Sequence, residues 1–279
     1  MGQCFFPIKH FRGNAIPYKN NPASDPKEGY DDREVFLMTL SLYTWATPNG
    51  HKPQILLEEL SVRYDLKPVN IFKGEQLTDE FRRINPNRRI PVLVDSSITG
   101  EPPWCVFESG AILIYLADKF GRFMPSTTRG RYEVIQWVMW QMGGLGPMLG
   151  QGQHFWTYAT EKHPYSIDRY TKEGYRLLEV MDWHLGQHEY LADEYSIADI
   201  ACFPWVRIHK LANLSIESFP NLARWYGAIR KRPAVERGLN VLRDQLTGVP
   251  STKEAHDVVF GKTQFRELDE KLAGKGASR

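Results

Sequence analysis

The chain has 279 residues, 42% hydrophobic and 13% aromatic; at roughly 100–200 residues per domain this favours two domains with sizeable cores and excludes disorder over most of the length. Lys and Arg number 35 and Asp and Glu 33, a net charge of +2, so there is no whole-molecule field to hold nucleic acid or an acidic membrane. Cys4, Cys105 and Cys202 form no C-x-x-C pair, which argues against a disulfide-stapled scaffold, a zinc site and an enzyme working through its own paired thiols.

Residues 1–36 carry Pro7, Pro17, Pro22 and Pro26 among polar residues and read as an extension. They hold no apolar stretch of signal-peptide length, and the longest apolar run, 111–117, is far below the ~20 residues that span a bilayer. A cytoplasmic protein without membrane association is expected. Met1-Gly2-Gln3-Cys4 opens like a myristoylation signal, but Phe6 stands where Ser or Thr is wanted.

From Val35 the pattern changes, with Leu40 and Leu42 alternating with Thr39, Ser41 and Tyr43 as in a strand, and Thr47-Pro48-Asn49-Gly50 then turns into a helix with Ile55, Leu56 and Leu60 on one stripe. A second strand is expected at 68–72, completing a parallel β-α-β unit. A short helix over Asp79–Ile84 follows, then a strand over 90–95 with Pro91 second, where proline lacks an N–H and admits a cis bond. A turn at 100–103, a strand over Trp104–Phe107 and a helix over Ser109–Phe120, stopped by Gly121, complete the thioredoxin order. Beyond Pro125 the periodicity is helical: 132–142 is rich in Trp, Met and Val, and Ser196-Ile197-Ala198-Asp199 has the spacing of a capping box. Pro220 and Pro233 suit the first turns of further helices. The fold class is therefore α/β plus all-α: a thioredoxin-like domain over 37–122, a helical bundle over 128–248 and a polar tail over 249–279.

Where the first strand meets the first helix, a thioredoxin-like domain concentrates amides that stabilise an anion. Here stand Thr47, Pro48 and Asn49, with no cysteine. Either the spot is inert, Thr47 and Asn49 merely building the turn, or the sulfur arrives with a bound small thiol whose thiolate accepts from the Asn49 amide or the Thr47 hydroxyl. Ile90-Pro91 has the same two readings: a turn proline, or a cis step that presents the Ile90 backbone to an extended ligand. Glu108-Ser109 is either an N-cap or a pocket in which Glu108 meets an ammonium while Ser109 and helix amides meet a carboxylate.

Together these segments resemble a family. Thr47-Pro48-Asn49-Gly50, Asn85-Pro86-Asn87-Arg88-Arg89-Ile90-Pro91, Phe107-Glu108-Ser109-Gly110-Ala111-Ile112 and Tyr195-Ser196-Ile197-Ala198-Asp199 lie in the order and spacing of the cytosolic glutathione transferases, over about 37–246. The run from Trp137 through Gly143-Gly144-Leu145-Gly146-Pro147 to Gln151 is similar to the nu-class bacterial enzymes, the glutathione-dependent disulfide-bond reductases, and their fungal nitrogen-regulator relatives. The resemblance implies glutathione as bound co-substrate and a homodimer. Asn49, with Thr47, would lie beside the glutathione sulfur; Ile90 and Pro91 would meet the cysteinyl part; Glu108 and Ser109 would hold the γ-glutamyl end. Gln76 would reach the glycyl side, and Arg169 would enter from the helical domain. Arg89 stands where the family often has Lys, keeping charge but changing geometry. Glu75 stands where a small residue is common.

The implied reaction is reduction of a small disulfide by thiol–disulfide exchange; conjugation to an electrophile, reduction of a peroxide, and a non-catalytic glutathione-binding regulator are the rivals. His154 and His163 lack a third ligand at metal spacing, so no metal is expected. Trp137, Trp140, Trp156 and Trp205 read as core or pocket wall, and Cys105 and Cys202 as buried and inert.

Overall fold

The computed structural model describes residues 40–97, 100–245, 250 and 252–276. The extension over 1–36 lies outside these. Four strands, β1 (Leu40–Thr44), β2 (Asp65–Pro68), β3 (Val92–Asp95) and β4 (Trp104–Phe107), form one sheet in the order β2-β1-β3-β4. β1 and β2 pair in parallel, β1 with β3 and β3 with β4 antiparallel. Helix α1 (Pro48–Leu60) crosses over from β1 to β2, α2 (Asp79–Ile84) leads to β3, and α3 (Ser109–Phe120) follows β4.

Period-two alternation sends successive residues to opposite faces of this sheet. Leu42 and its register partner Leu93 face a core with Ile55 and Leu56 of α1 and Leu113 of α3. Tyr43, Val92 and Val94 face the other way, onto Val69 and Phe81. Both faces are covered, and α1 is itself packed on several sides, so that even its Lys52, Gln54 and Glu58 are buried.

The helical unit comprises α4 (Thr128–Trp140), α5 (Gly146–Gln153), α6 (Pro164–Leu185), α7 (Ile197–Arg207), α8 (Pro220–Arg230) and α9 (Pro233–Asn240). Single π-helical turns at Gln141–Leu145 and His154–Tyr158 flank α5, so the Gly-rich run is helical but wound more loosely than the α register. Ser196 and Asp199 form the expected capping box at α7, and Pro220 and Pro233 occupy the first turns of α8 and α9. Val138, Leu177, Phe203, Val206 and Val235 belong to the same apolar cluster as Leu42 and Ile55, so one core runs through both units.

Three expectations are corrected. The second strand is Asp65–Pro68 rather than 68–72, because the Asn70 side chain accepts from the Phe72 and Lys73 amides and turns the chain away. Residues of the expected polar tail form α10 (Lys253–Phe260) and α11 (Lys262–Gly276), in which the Thr252 side chain caps α10, Phe260 stacks on Tyr158 and Glu267 pairs with Arg88 at 2.9 Å. Cys105, on the edge strand β4, is half-buried rather than buried, whereas Cys202 in α7 is fully buried. Among the described residues no helix is long and apolar enough to cross a membrane.

Candidate active site

The mouth between β1 and α1 opens into a cavity of about 490 Å³ at the seam of the two units, within the range of roughly 300–1,000 Å³ typical of small-molecule sites. Asn49, Arg89, Ile90, Pro91, Glu108 and Ser109 all line it. Thr47, Gln76 and Arg169 do not.

Thr47 is the N-cap of α1: its extended backbone ends the strand segment and its hydroxyl accepts from the Gly50 amide at 3.1 Å. Pro48 occupies the first turn, where its missing N–H would have had no helical partner. Asn49 is thereby held at the helix N-terminus, half-buried, facing the cavity. Its Oδ1 accepts from the Trp205 indole N–H at 3.0 Å.

The loop before β3 is shaped by Asn85, which is buried. Its Nδ2 donates to the Arg89 carbonyl at 2.6 Å and its Oδ1 accepts from the Asn87 amide at 2.9 Å, replacing backbone bonds that the loop lacks. The Ile90–Pro91 bond at its end is cis. Across the cavity, Glu108 precedes α3 with φ at 68°, a left-handed conformation costly for a residue with a Cβ. Its carboxylate makes no capping bond and instead accepts from Asn87 Nδ2 at 3.3 Å, so the acid leans over the cavity rather than onto its own helix. Ser109 follows in the first turn, buried.

The cavity's floor holds a residue that sequence reasoning passed over. Lys52 is fully buried; its Nζ donates to Ser109 Oγ at 3.1 Å, Gln141 Oε1 at 2.6 Å and Met142 Sδ at 3.4 Å. Burial pushes its pKa down to about 7. A usable signal existed: Lys52 lies three and four residues before Ile55 and Leu56, on the stripe that faces the core. Gln141, Gly146, Gly150 and Trp205 also line the cavity from the helical unit.

Gln76 is buried outside the lining, with Nε2 donating to the Ile71 carbonyl at 3.3 Å and Oε1 without a partner among the described residues. Glu75 accepts from the Asn70 amide at 2.6 Å, which accounts for an acid at that position. Arg169 lies on the exposed side of α6. Among the described residues no cysteine lines the cavity, and burial raises the Cys202 thiol pKa well above its ordinary value. His154 and His163 share a smaller pocket with His256, but among the described residues no cluster of His, Cys, Asp or Glu suits a metal ion. The site therefore offers donors for an anion and an acid for a cation, and among the described residues no thiol of its own.

Known proteins resemble this chain over both units. The family model for the glutathione S-transferase N-terminal domain matches residues 38–118, and that for the C-terminal domain residues 154–233. The chain is 46% identical over 202 residues to the disulfide-bond oxidoreductase YfcG of Escherichia coli strain K12, spanning 72% of this chain and 94% of that protein. Its fold is similar to a glutathione transferase from Burkholderia graminis solved with two glutathione molecules per subunit, with a TM-score of 0.69 and 46% identity over 73% of this chain and 88% of that one. A glutathione transferase from Pseudomonas putida, solved with one glutathione disulfide per subunit, gives a TM-score of 0.69 and 40% identity over 73% of this chain and 92% of that one.

Proposed function

The chain belongs to the glutathione transferase family, and from that premise we propose that it is a nu-class-like member that reduces small disulfides with glutathione as the thiol. The observation that carries this reading is the cavity at the β1–α1 mouth, where Asn49, Pro91, Glu108 and Ser109 converge and, among the described residues, no cysteine does. The similarity to proteins solved with glutathione and glutathione disulfide supports the ligand.

In this reading Glu108 takes the γ-glutamyl ammonium, Ser109 and the α3 amides its carboxylate, and the Ile90 backbone the cysteinyl main chain. Arg89 offers a cation toward the glycyl end. The Asn49 amide donates to the sulfur and favours thiolate over thiol. That thiolate attacks one sulfur of the disulfide; the S–S bond breaks, a glutathione mixed disulfide forms, and the expelled thiolate takes up the proton that glutathione lost. A second glutathione attacks the mixed disulfide at the glutathione sulfur, yielding glutathione disulfide and the second free thiol. Two electrons pass from two glutathione molecules to the disulfide, and no protein sulfur changes oxidation state.

Among the described residues neither Cys105 nor Cys202 is in a disulfide, which supports a reducing, cytoplasmic setting. Exposed Trp104 and Phe107 on the edge strand and exposed Tyr132 and Met139 on α4 support a homodimer.

The test is glutathione disulfide formation from glutathione and a small dialkyl disulfide, followed by coupling to glutathione reductase, with sedimentation of the same preparation reporting its assembly. Asn49→Ala is expected to lower kcat/KM roughly tenfold to a hundredfold, the scale of losing a donor to a reacting anion. A Cys105→Ser/Cys202→Ser variant should keep wild-type activity, and loss of its activity would sink the imported-thiol mechanism. Glutathione binding without turnover of disulfide, aryl halide or peroxide would favour a binding regulator instead.

A further inference from the structure

We infer that Trp205 is a positioning residue for the reaction: its indole N–H pins the Asn49 amide in the single orientation that presents Nδ2, rather than Oδ1, to the glutathione sulfur. The inference rests on the thiol site proposed above and deepens it. An asparagine amide has two ends of nearly equal shape and opposite function. Turned one way at Asn49, it donates two N–H groups to a thiolate. Turned the other, it aims carbonyl lone pairs at the same negative sulfur. Nothing in residue 49 itself selects between them.

Trp205 makes the selection. An indole N–H can only donate, so its 3.0 Å contact with Asn49 is a hydrogen bond only when the amide oxygen faces the ring. Among the described residues the Asn49 side chain has no other hydrogen-bond partner, which leaves Nδ2 uncommitted, and both residues line the cavity. The donor comes from α7 of the helical unit, 156 residues along the chain, so the amide is fixed across the seam rather than by its own helix.

The ring is also held in place. Trp205 is only 8% exposed. It packs against Gly146 and Gly150, where a Cβ would lie 3.3 Å from its Nε1 and 3.2 Å from its Cη2. At Gly146 the same atom would also come within 2.5 Å of Gln141 Nε2. The two glycines therefore make the room in which the indole reaches Asn49, which gives this part of the Gly-rich run a physical reason. A rigid ring holding a rigid amide is the preorganisation that an anion-stabilising donor requires.

Trp205→Phe tests this, since it keeps an aromatic ring and removes the N–H. The readout is the pKa of the bound glutathione thiol, followed by ultraviolet absorbance of the thiolate, alongside the acidic limb of the pH–rate profile. Wild type should lower the thiol pKa below that of free glutathione. Trp205→Phe should raise it by about one, the size of losing one hydrogen bond to a charged group, and move the acidic limb to higher pH by the same amount. In an Asn49→Ala background the Trp205→Phe change should add nothing, because Trp205 acts through that amide.

A thiol pKa unchanged in Trp205→Phe, or an additive effect on top of Asn49→Ala, would overturn the inference while leaving the glutathione site standing. If wild type itself does not lower the thiol pKa, the thiol-site reading fails first. Should Trp205→Phe not fold, Gly150→Ala, which crowds the same ring at Cη2, should raise the thiol pKa in its place; an unchanged value there would equally count against it.

Discussion

At the scale of single residues, Lys52 sets a pH dependence that can be worked out with its sign. Its ammonium has three donors and three acceptors around it, on Ser109, Gln141 and Met142, so the charge is well solvated by protein yet still expensive to bury. In the unfolded chain a lysine keeps its proton up to about 10.5, whereas in the fold Lys52 keeps it only to about 7. Between those values the unfolded chain binds more protons, so Lys52 makes stability rise with pH across that window and penalises the fold most below about 7. Glutathione affinity should run the other way. The ammonium lies against Ser109, the residue proposed to meet a carboxylate, and its charge is lost as pH rises through about 7. Lys52→Met should flatten the stability profile above pH 7 and raise the glutathione KM roughly tenfold, by removing a charge behind that carboxylate. His51 supplies an internal control: burial lowers its pKa to about 4, so its own gain in stability between about pH 4 and its ordinary 6.5 should persist in Lys52→Met. Urea midpoints across the pH range for both proteins read the two windows, and a Lys52→Met profile still rising above neutrality would contradict the assignment.

At the scale of elements, what was legible in sequence is what is local. The α7 start was readable because a capping box fits in four residues, Ser196 to Asp199, and the α1 turn because Thr47-Pro48-Asn49-Gly50 is continuous. β2 was misplaced because Asn70, whose side chain ends it, is a turn residue only through bonds to amides that β propensity ignores. α10 and α11 read as a tail because their apolar residues are sparse among charges; their contacts, Phe260 on Tyr158 and Glu267 on Arg88, are distant in sequence. The site divides the same way. Asn49, Arg89–Pro91 and Glu108–Ser109 sit in compact motifs, whereas Lys52 with Gln141 and Asn49 with Trp205 are 89 and 156 residues apart and no periodicity joins them. Even the capping box held more than its spacing revealed. Asp199 accepts from the Ser196 and Leu191 amides at 3.0 and 3.1 Å and from the Trp225 indole at 2.7 Å, all buried. Ser196→Ala should therefore cost about 1 kcal/mol, a lost cap. Asp199→Ala strands three buried donors and should cost roughly 3 kcal/mol or more. Thermal unfolding resolves the two, since 1 kcal/mol moves Tm by roughly 2–4 °C in a protein of this size; equal shifts would mean that Asp199 does no more than cap.

At the scale of the whole molecule, the two units are not independent bodies, and the site depends on that. The α1 residues Ile55 and Leu56 and the helical-unit residues Phe203 and Val235 share one apolar cluster, and Trp45 lies with Val241 and Leu242 in a second that also crosses the seam. Charged contacts follow the same line: Arg237 meets the buried Glu58 at 2.9 Å, and Arg232 meets Glu59 at 2.6 Å. Separating the units would expose both clusters and leave Glu58 and Lys52 without their partners, a cost well above the marginal stability of a typical domain of ~5–15 kcal/mol. Unfolding should accordingly be one cooperative transition, with calorimetric and van't Hoff enthalpies equal within error. Residues 37–122 produced alone should lack fixed tertiary structure, because the α1 face that buries Ile55 to Leu57 would meet water. Two resolved transitions, or a folded isolated thioredoxin-like unit, would show that the seam is a contact between finished domains. The cavity walls would then be free to shift against each other, and the Asn49–Trp205 contact would report domain docking rather than a built-in geometry.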